Sequence, residues 1–431
     1  MKPIDPQEWK QDLPAFREKT AAFYKGELKK NDYKGFSGLY GSYAQKDGKA
    51  SMLRLRMTAG AVSREKVCFI AKMIREYQVK RMHFTTCQSI QLHDLNETAV
   101  CEIMEKALDA GIVTMGGGGD FPRNIMCSPL AGVEKGEYFN VQPYAKAAGD
   151  YLMHFIKAEK MPRKLKVGFS SSPANLTHAT YRDLGFAARE DGKFDVYSAG
   201  GLGNNPRFGV KVAEAVEPDD ILFYIRAMWL TFRTYGNYEN RGKARTRYMQ
   251  ESLGSPEKYK EAFQEKLKEV CASGEDLKLK DLKEASAENS RKTGDETVFT
   301  GSNAIEQKQE GLYALAWHPI GGMPDPAVFC ELADAMEEIE GVELRLAPYE
   351  TAYIINLTGA EAERLNAIIQ KDMAQSLFET SVSCIGASVC QVGLRDSQGL
   401  LRACVERVKE AGLPDGTLPQ IHISGCPSSC G

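Results

Sequence analysis

The sequence has no long apolar run, no apolar leader and almost no net charge, and each lack excludes something. Across 431 residues no stretch is long and charge-free enough to span a bilayer, and the opening MKPIDPQEWKQDLPAF is polar and broken by prolines. A soluble, cytoplasmic protein with no membrane partner is expected. Lys and Arg total 55 against 58 Asp and Glu, a formal charge of −3, so no bulk field draws nucleic acid or an anionic lipid surface. Any anion chemistry must be local. What is present is length, beyond the size at which one core stops growing, so two or three domains and room for a large cofactor are expected. Eleven cysteines in such a chain read as thiols, some of them metal ligands, not as a disulfide scaffold.

Periodicity divides the chain. Residues 1–37 read as a polar N-terminal arm, with folded structure beginning at GLYGSY. In residues 38–110, Met52–Met57 alternates as a strand, residues 58–62 turn through Gly60, and Ser63 caps a helix to about Tyr77. His83–Leu92 alternates as one further strand, and Asn96–Ala110 forms a second helix. The same order recurs in residues 306–371, so the two half-domains can pair into one pseudo-symmetric unit. Residues 111–305 and 372–431 hold the unusual residues. Within the first of these, the charged and Ser/Thr-rich segment 274–303 reads as a surface excursion or linker.

The strongest pattern is Cys384-Ile-Gly-Ala-Ser-Val-Cys390 followed by Gly425-Cys426-Pro-Ser-Ser-Cys430. Four thiolates can ligate one [4Fe–4S] cluster, and the small residues between them let the backbone wrap closely and aim amides at sulfur. Two chance pairs of core cysteines are the bland alternative. Structural zinc is a second one, although its paired ligands are usually separated by two- to four-residue gaps, shorter than the five-residue gap between Cys384 and Cys390. Cys68, Cys87, Cys101, Cys127, Cys271, Cys330 and Cys404 lack ligand spacing and read mostly as small hydrophobes.

Basic residues form a second pattern. Arg54 and Arg56 alternate with leucines, which alone fits one solvated and one buried-face residue of a strand. Lys164 and Lys166 in PRKLKVGFS lie on one face of a strand, either converging on an anion or merely opening a strand that enters the core. The run Arg233, Arg241, Lys243, Arg245 and Arg247 exceeds what a solvated helix needs, with an exposed nucleic-acid patch as the alternative.

With MLRLRMTAG at 52–60, RNIMCSP at 123–129, PRKLK at 162–166, GGLGNNP at 200–206, NRGKARTRY at 240–248 and both cysteine pairs in order, the sequence resembles the siroheme-dependent sulfite and nitrite reductases over about residues 38–431. The resemblance implies an α+β protein: two ferredoxin-like half-domain repeats paired pseudo-symmetrically, plus mixed α/β lobes that bind siroheme and cluster. On that plan residues 111–305 bind siroheme and substrate, and residues 372–431 bind the [4Fe–4S] cluster and siroheme. It implies that Cys384, Cys390, Cys426 and Cys430 hold the cluster, Cys430 bridging it to the siroheme iron. Arg54, Arg123, Lys164 and Lys166 become the quartet facing a small oxyanion, the arginines clamping oxygens and the lysines supplying charge and protons. Siroheme carries many carboxylates, so Arg56, His83, Cys87, Gln91, Asn124, Arg163, Arg241, Arg245, Arg247 and the backbone of Gly200, Gly201 and Gly203 are its implied contacts.

Two departures stand out. Cys87 occupies a position where the family often has arginine, with His83 two residues apart at each step on the same strand face as a partial substitute. The family normally continues past its last cysteine, whereas this chain ends at Gly431, as if truncated, and weak siroheme retention is expected. The implied reaction is six-electron reduction of sulfite to sulfide or nitrite to ammonia, fed by a ferredoxin or a flavoprotein. Sulfite leads, since Lys166 sits where ferredoxin-type nitrite reductases tend to have asparagine. A non-catalytic siroheme or iron–sulfur binding protein is the alternative.

Overall fold

The computed structural model describes residues 4–158, 161–280, 282 and 292–431. Part of the segment 274–303, namely residue 281 and residues 283–291, lies outside the described residues. Two compact units emerge: residues 1–5, 58–60 and 116–289 form unit 1, and residues 6–57, 61–115 and 290–431 form unit 2.

Unit 2 contains both repeats. Strands β1 (Ser42–Ala44), β2 (Ser51–Arg56), β4 (Arg81–Phe84) and β5 (Ser89–Leu95) form an antiparallel sheet in the order β1-β2-β5-β4. Its apolar faces carry Leu53, Leu55, Ile90 and Leu92, all fully buried. The second repeat supplies β11 (Ala304–Glu306), β12 (Tyr313–Trp317), β13 (Glu343–Leu346) and β14 (Ala352–Leu357). A fifth strand of that sheet is β3 (Ala61–Ser63), borrowed from the first repeat and paired to β13 with Leu344 opposite Val62. The repeats also join through helices, because Arg75 on helix Arg64–Glu76 donates to the Cys330 carbonyl on helix Pro326–Glu337 at 3.1 Å.

Three expectations change. The turn at 58–62 ends in the exchanged strand β3, with Ala59 and Gly60 both at positive φ to reverse the chain. His83–Leu92 is a hairpin, not one strand. Thr85 makes the turn, its amide donating to the Ser89 carbonyl at 3.0 Å and its hydroxyl accepting from the Ser89 amide at 3.2 Å, with Gln88 at φ 52°. Cys87 therefore sits in a turn and does not share a strand face with His83. Residues 6–37 are folded, with helices Leu13–Tyr24 and Lys30–Ser37, because Trp9, Phe16 and Tyr33 bury fully enough to offset ordering the segment.

Unit 1 is built on one mixed sheet. β6 (Met126–Cys127), β7 (Val167–Ser170) and β8 (Leu184–Ala188) run parallel, and β9 (Phe194–Ser198) and β10 (Val210–Val216) continue antiparallel. Helices Gln142–Met153, Ile221–Tyr235 and Pro256–Ala272 cover a core of Phe169, Phe186, Phe194, Trp229 and Phe263. Among the described residues no helix is long and apolar enough to cross a membrane.

Candidate active site

In unit 2 two short strands bring the cysteine pairs together. β15 (Val382–Ser383) and β16 (His422–Ile423) run parallel, and the Cys384 amide donates to the Ile423 carbonyl at 3.1 Å. That register sets Cys384 beside the turn carrying Cys426. The Gly425 amide then points at Cys384 Sγ, 3.2 Å away, while the Leu394 and Arg395 amides both donate to the Gly425 carbonyl at 2.9 Å. Gly386, at φ 68°, is needed for this wrap, since a Cβ there would stand 2.5 Å from the Ser397 hydroxyl. The Cys390 thiol is pushed up by burial, with the Val392 and Gly393 amides opposing, and the nearby Cys430 and Cys426 raise it further. Cys430 is exposed, and its carbonyl accepts from Thr86 Oγ1 at 3.1 Å in the β4–β5 turn.

Among the described residues no three His, Cys, Asp or Glu side chains are grouped to share one metal ion. A tetrahedral zinc site needs its sulfurs within about 2.3 Å of a common centre. A four-iron cluster instead takes one thiolate per iron, and a loop pair with an amide aimed at sulfur suits it.

Arg54 and Gln91 are cross-strand partners on β2 and β5, and Gln91 also lies opposite His83 on β4. One amide orientation satisfies all three: Gln91 oxygen accepts from Arg54 at 2.5 and 3.2 Å, and its nitrogen donates to His83 Nδ1 at 3.1 Å. His83 Nε2 faces Glu350 Oε1 at 3.3 Å, and both side chains are buried. The imidazole is turned into the protein by Glu350. Arg56 is likewise buried, its guanidinium donating to the Met115 carbonyl at 3.4 Å.

In unit 1 the segments bearing the other basic residues are stitched side by side. Pro122 and Leu165 form a parallel bridge, with the Arg123 amide donating to the Leu165 carbonyl at 2.8 Å. Leu165 is buried, so Lys164 and Lys166 project to the opposite face. The Arg123 guanidinium is braced by the carbonyls of Gly117 and Gly119 at 2.6 and 2.9 Å. Asn124 is buried beside it in sequence. Two acids that sequence reading missed do the holding. Asp120 takes Arg163 and Arg241, each at 2.7 Å, and those two arginines hold its carboxyl below the usual range. Asp183, fully buried, accepts from Arg245 at 3.0 Å on both oxygens, from the Lys166 amide at 2.8 Å and from the Thr246 hydroxyl. Only an acid directly before the apolar run LGFAA hinted at it.

The glycine loop completes unit 1. A Cβ on Gly203 would lie 2.9 Å from Arg247 Nη2 and one on Gly201 3.5 Å from Nη1, so bare backbone flanks this guanidinium. A Cβ on Gly200 would strike the Tyr181 backbone at 2.6 Å. Arg247 also lies over the Tyr248 ring at 4.9 Å. A polycarboxylate macrocycle requires such cations beside open backbone, and the residues fit it.

The architecture is α+β, with cysteine loops suited to an iron–sulfur cluster. A family model described as the nitrite and sulphite reductase 4Fe-4S domain matches residues 118–270, and the nitrite/sulfite reductase ferredoxin-like half domain matches residues 43–110. The chain belongs to the nitrite and sulfite reductase family, whose cofactors are siroheme and a [4Fe–4S] cluster. It is 23% identical to sulfite reductase [ferredoxin] 1 of Mycolicibacterium paratuberculosis, over 89% of this chain and 68% of that protein. It is 27% identical to ferredoxin–nitrite reductase of Synechococcus elongatus, over 88% of this chain and 74% of that one. In fold it resembles the NirA protein of Mycobacterium tuberculosis, with TM-score 0.75 at 22% identity over 100% of this chain and 82% of that one.

Proposed function

We propose that this chain catalyses six-electron reduction of sulfite to sulfide, or of nitrite to ammonia. The observation that carries the reading is the β15–β16 pairing, which brings Cys384, Cys390, Cys426 and Cys430 onto one loop pair. When bound, siroheme and a [4Fe–4S] cluster would supply an iron for the anion and a store of electrons beside it. Cys384, Cys390, Cys426 and Cys430 would hold the cluster, and Cys430 would also help to hold siroheme.

The chain's own residues neutralise and protonate. Arg54 and Arg123, with guanidinium groups braced by Gln91 and by the Gly117 and Gly119 carbonyls, offer directed N–H donors to an oxyanion. Braced donors need little reorganisation as charge develops on oxygen. Lys164 and Lys166 hold protons at Nζ for oxygens leaving as water. Arg241, Arg245 and Arg247, with the Gly200–Gly203 backbone, would meet siroheme carboxylates. The curated relatives named as ferredoxin enzymes support a ferredoxin-type donor.

The test is anaerobic purification, an absorption spectrum and turnover with a reduced dye. Siroheme and cluster absorbance together with consumption of either anion is the expected result. A coloured protein without turnover would mark a binding protein, and a colourless zinc protein would overturn the reading.

A further inference from the structure

Glu350 is a buried acid in the turn between β13 and β14, held at φ 67°, a conformation uncommon for a side chain of this type. Gly322 makes room for it: a Cβ there would stand 2.8 Å from Glu350 Cβ and 2.9 Å from the Phe84 carbonyl. Strain and burial retained together at one acid point to a role beyond packing. Its two oxygens divide their work. Oε2 accepts from the Ser383 amide at 3.0 Å, and Oε1 faces His83 Nε2 at 3.3 Å, no other described group hydrogen-bonding either of those last two atoms.

The hydrogen-bond directions fix the protons. Arg54 has only donors, so Gln91 must turn its oxygen to Arg54 and its NH2 to His83 Nδ1. Nδ1 then accepts, which leaves the proton on Nε2, facing the carboxylate. One added proton has no place in this chain. On Nδ1 it sets donor against the Gln91 NH2. On Oε1 it opposes the Nε2 proton, and on Oε2 it opposes the Ser383 amide. The simplest relief is rotation of the Gln91 amide, which gives its oxygen to His83 and its NH2 to Arg54, donor against donor.

We propose that Glu350 and His83 are positioning residues that lock Gln91 with its oxygen on Arg54, and that uptake of one proton by the pair releases the Arg54 guanidinium. Because Arg54 is assigned to the anion, this rests on the reductase reading and adds to it an acid limit on anion affinity. Among the described residues, His93 on β5 acts on His83 and is itself faced by Arg81 on β4 and Arg54 on β2, and burial first of all holds His93 well below its ordinary range. Burial raises Glu350 and His83 opposes it, so the pair takes up its proton more readily than an exposed carboxylate does.

The experiment is pH-difference infrared spectroscopy on the cofactor-loaded protein, with sulfite and nitrite dissociation constants measured across the same pH range. Acidification should change a His83 ring band and, with the same midpoint, a guanidinium band that is absent from Arg54→Lys. In His83→Gln, which has no imidazole to take up the proton and whose amide can turn to meet Glu350, both changes should vanish. In Glu350→Gln the shared midpoint should move at least one pH unit lower. Anion dissociation constants should rise about tenfold per pH unit below the wild-type midpoint, with no such limb in His83→Gln. A His83 band that titrates without any guanidinium change, a proton on Nδ1 at neutral pH, or an unaltered acid limb in His83→Gln would overturn the proposal. If neither anion binds at any pH while the two bands stay coupled, the reductase reading fails and the positioning role stands.

Discussion

The arginines of unit 1 and the thiols of unit 2 are held in opposite ways. In unit 1 the arginines are aimed before any ligand arrives, since Asp120 grips Arg163 and Arg241 and the fully buried Asp183 grips Arg245 and the Lys166 backbone. In unit 2 the thiols are carried on loops tied mainly by backbone, and Cys430 is exposed. The difference follows from chemistry. A guanidinium must point in one direction to be useful, so its entropy is removed in advance by a carboxylate. A thiolate gains its order from the metal bond itself, and preforming four of them would set charge against charge.

The largest expected effect falls on the loosely held region. If the four thiols act as one ligand set, replacing any of Cys384, Cys390, Cys426 or Cys430 by Ser should remove cluster and siroheme together. Iron content and absorbance measure this, and a variant that keeps both would break the comparison. Next come the aimed charges. Lys164→Met and Lys166→Met should leave cofactor content unchanged while slowing turnover by about two to three orders of magnitude, the usual cost of removing a group that stabilises charge in a desolvated site. Loss of siroheme instead would move these lysines from substrate to cofactor.

A third effect tests the grip itself. Asp183→Ala leaves Arg245, partly exposed, without its carboxylate and the Lys166 amide without its acceptor. About 3 kcal/mol of stability should be lost, less than for a fully buried pair because water reaches the guanidinium. Urea unfolding measures it, and a change below about 0.5 kcal/mol, as for an ordinary surface residue, would show that Asp183 does not organise unit 1.

Much of the site was written in local pattern. The cysteine spacing, the Lys164-Leu165-Lys166 alternation around a buried leucine and the repeated half-domain order all depend on near neighbours, and the α+β class that the family resemblance implied is the class observed. What could not be read depends on contacts distant in sequence. Asp120 meets Arg241 across 121 positions and Asp183 meets Arg245 across 62, so no window of sequence contains either pair. Glu350 and His83 are the same case. The β4–β5 turn was missed for another reason: Thr85-Thr86-Cys87-Gln88 has no Gly, Pro, Asn or Asp, and a threonine hydroxyl makes the turn. Alternation simply continued through it.

The smallest effect concerns a histidine held by neither an acid nor a metal. His318, at the end of β12, is buried with one hydrogen bond, Nδ1 to Thr351 Oγ1 at 2.6 Å, and burial drives its pKa from 6.5 down to about 4. The unfolded chain thus binds the extra proton first. Stability from this group is present above pH 6.5 and is lost as pH falls towards about 4, by an amount on the order of 3 kcal/mol. Asp372, in the same repeat, has the reverse sign, since burial raises it from 3.8 to about 6. Its contribution is present below pH 3.8 and disappears as pH rises through about 6, and it is weakened because the group is only partly buried. Between pH 4 and 6 the two slopes oppose one another. Replacing His318 by Gln should leave the Asp372 slope exposed, so stability falls as pH rises over that range, whereas Asp372→Asn should leave a protein that loses stability on acidification. Denaturant midpoints at half-unit pH steps read both slopes. Parallel curves for wild type and His318→Gln would mean that the imidazole takes up its proton equally in the folded and unfolded chain, and that burial does not hold it neutral.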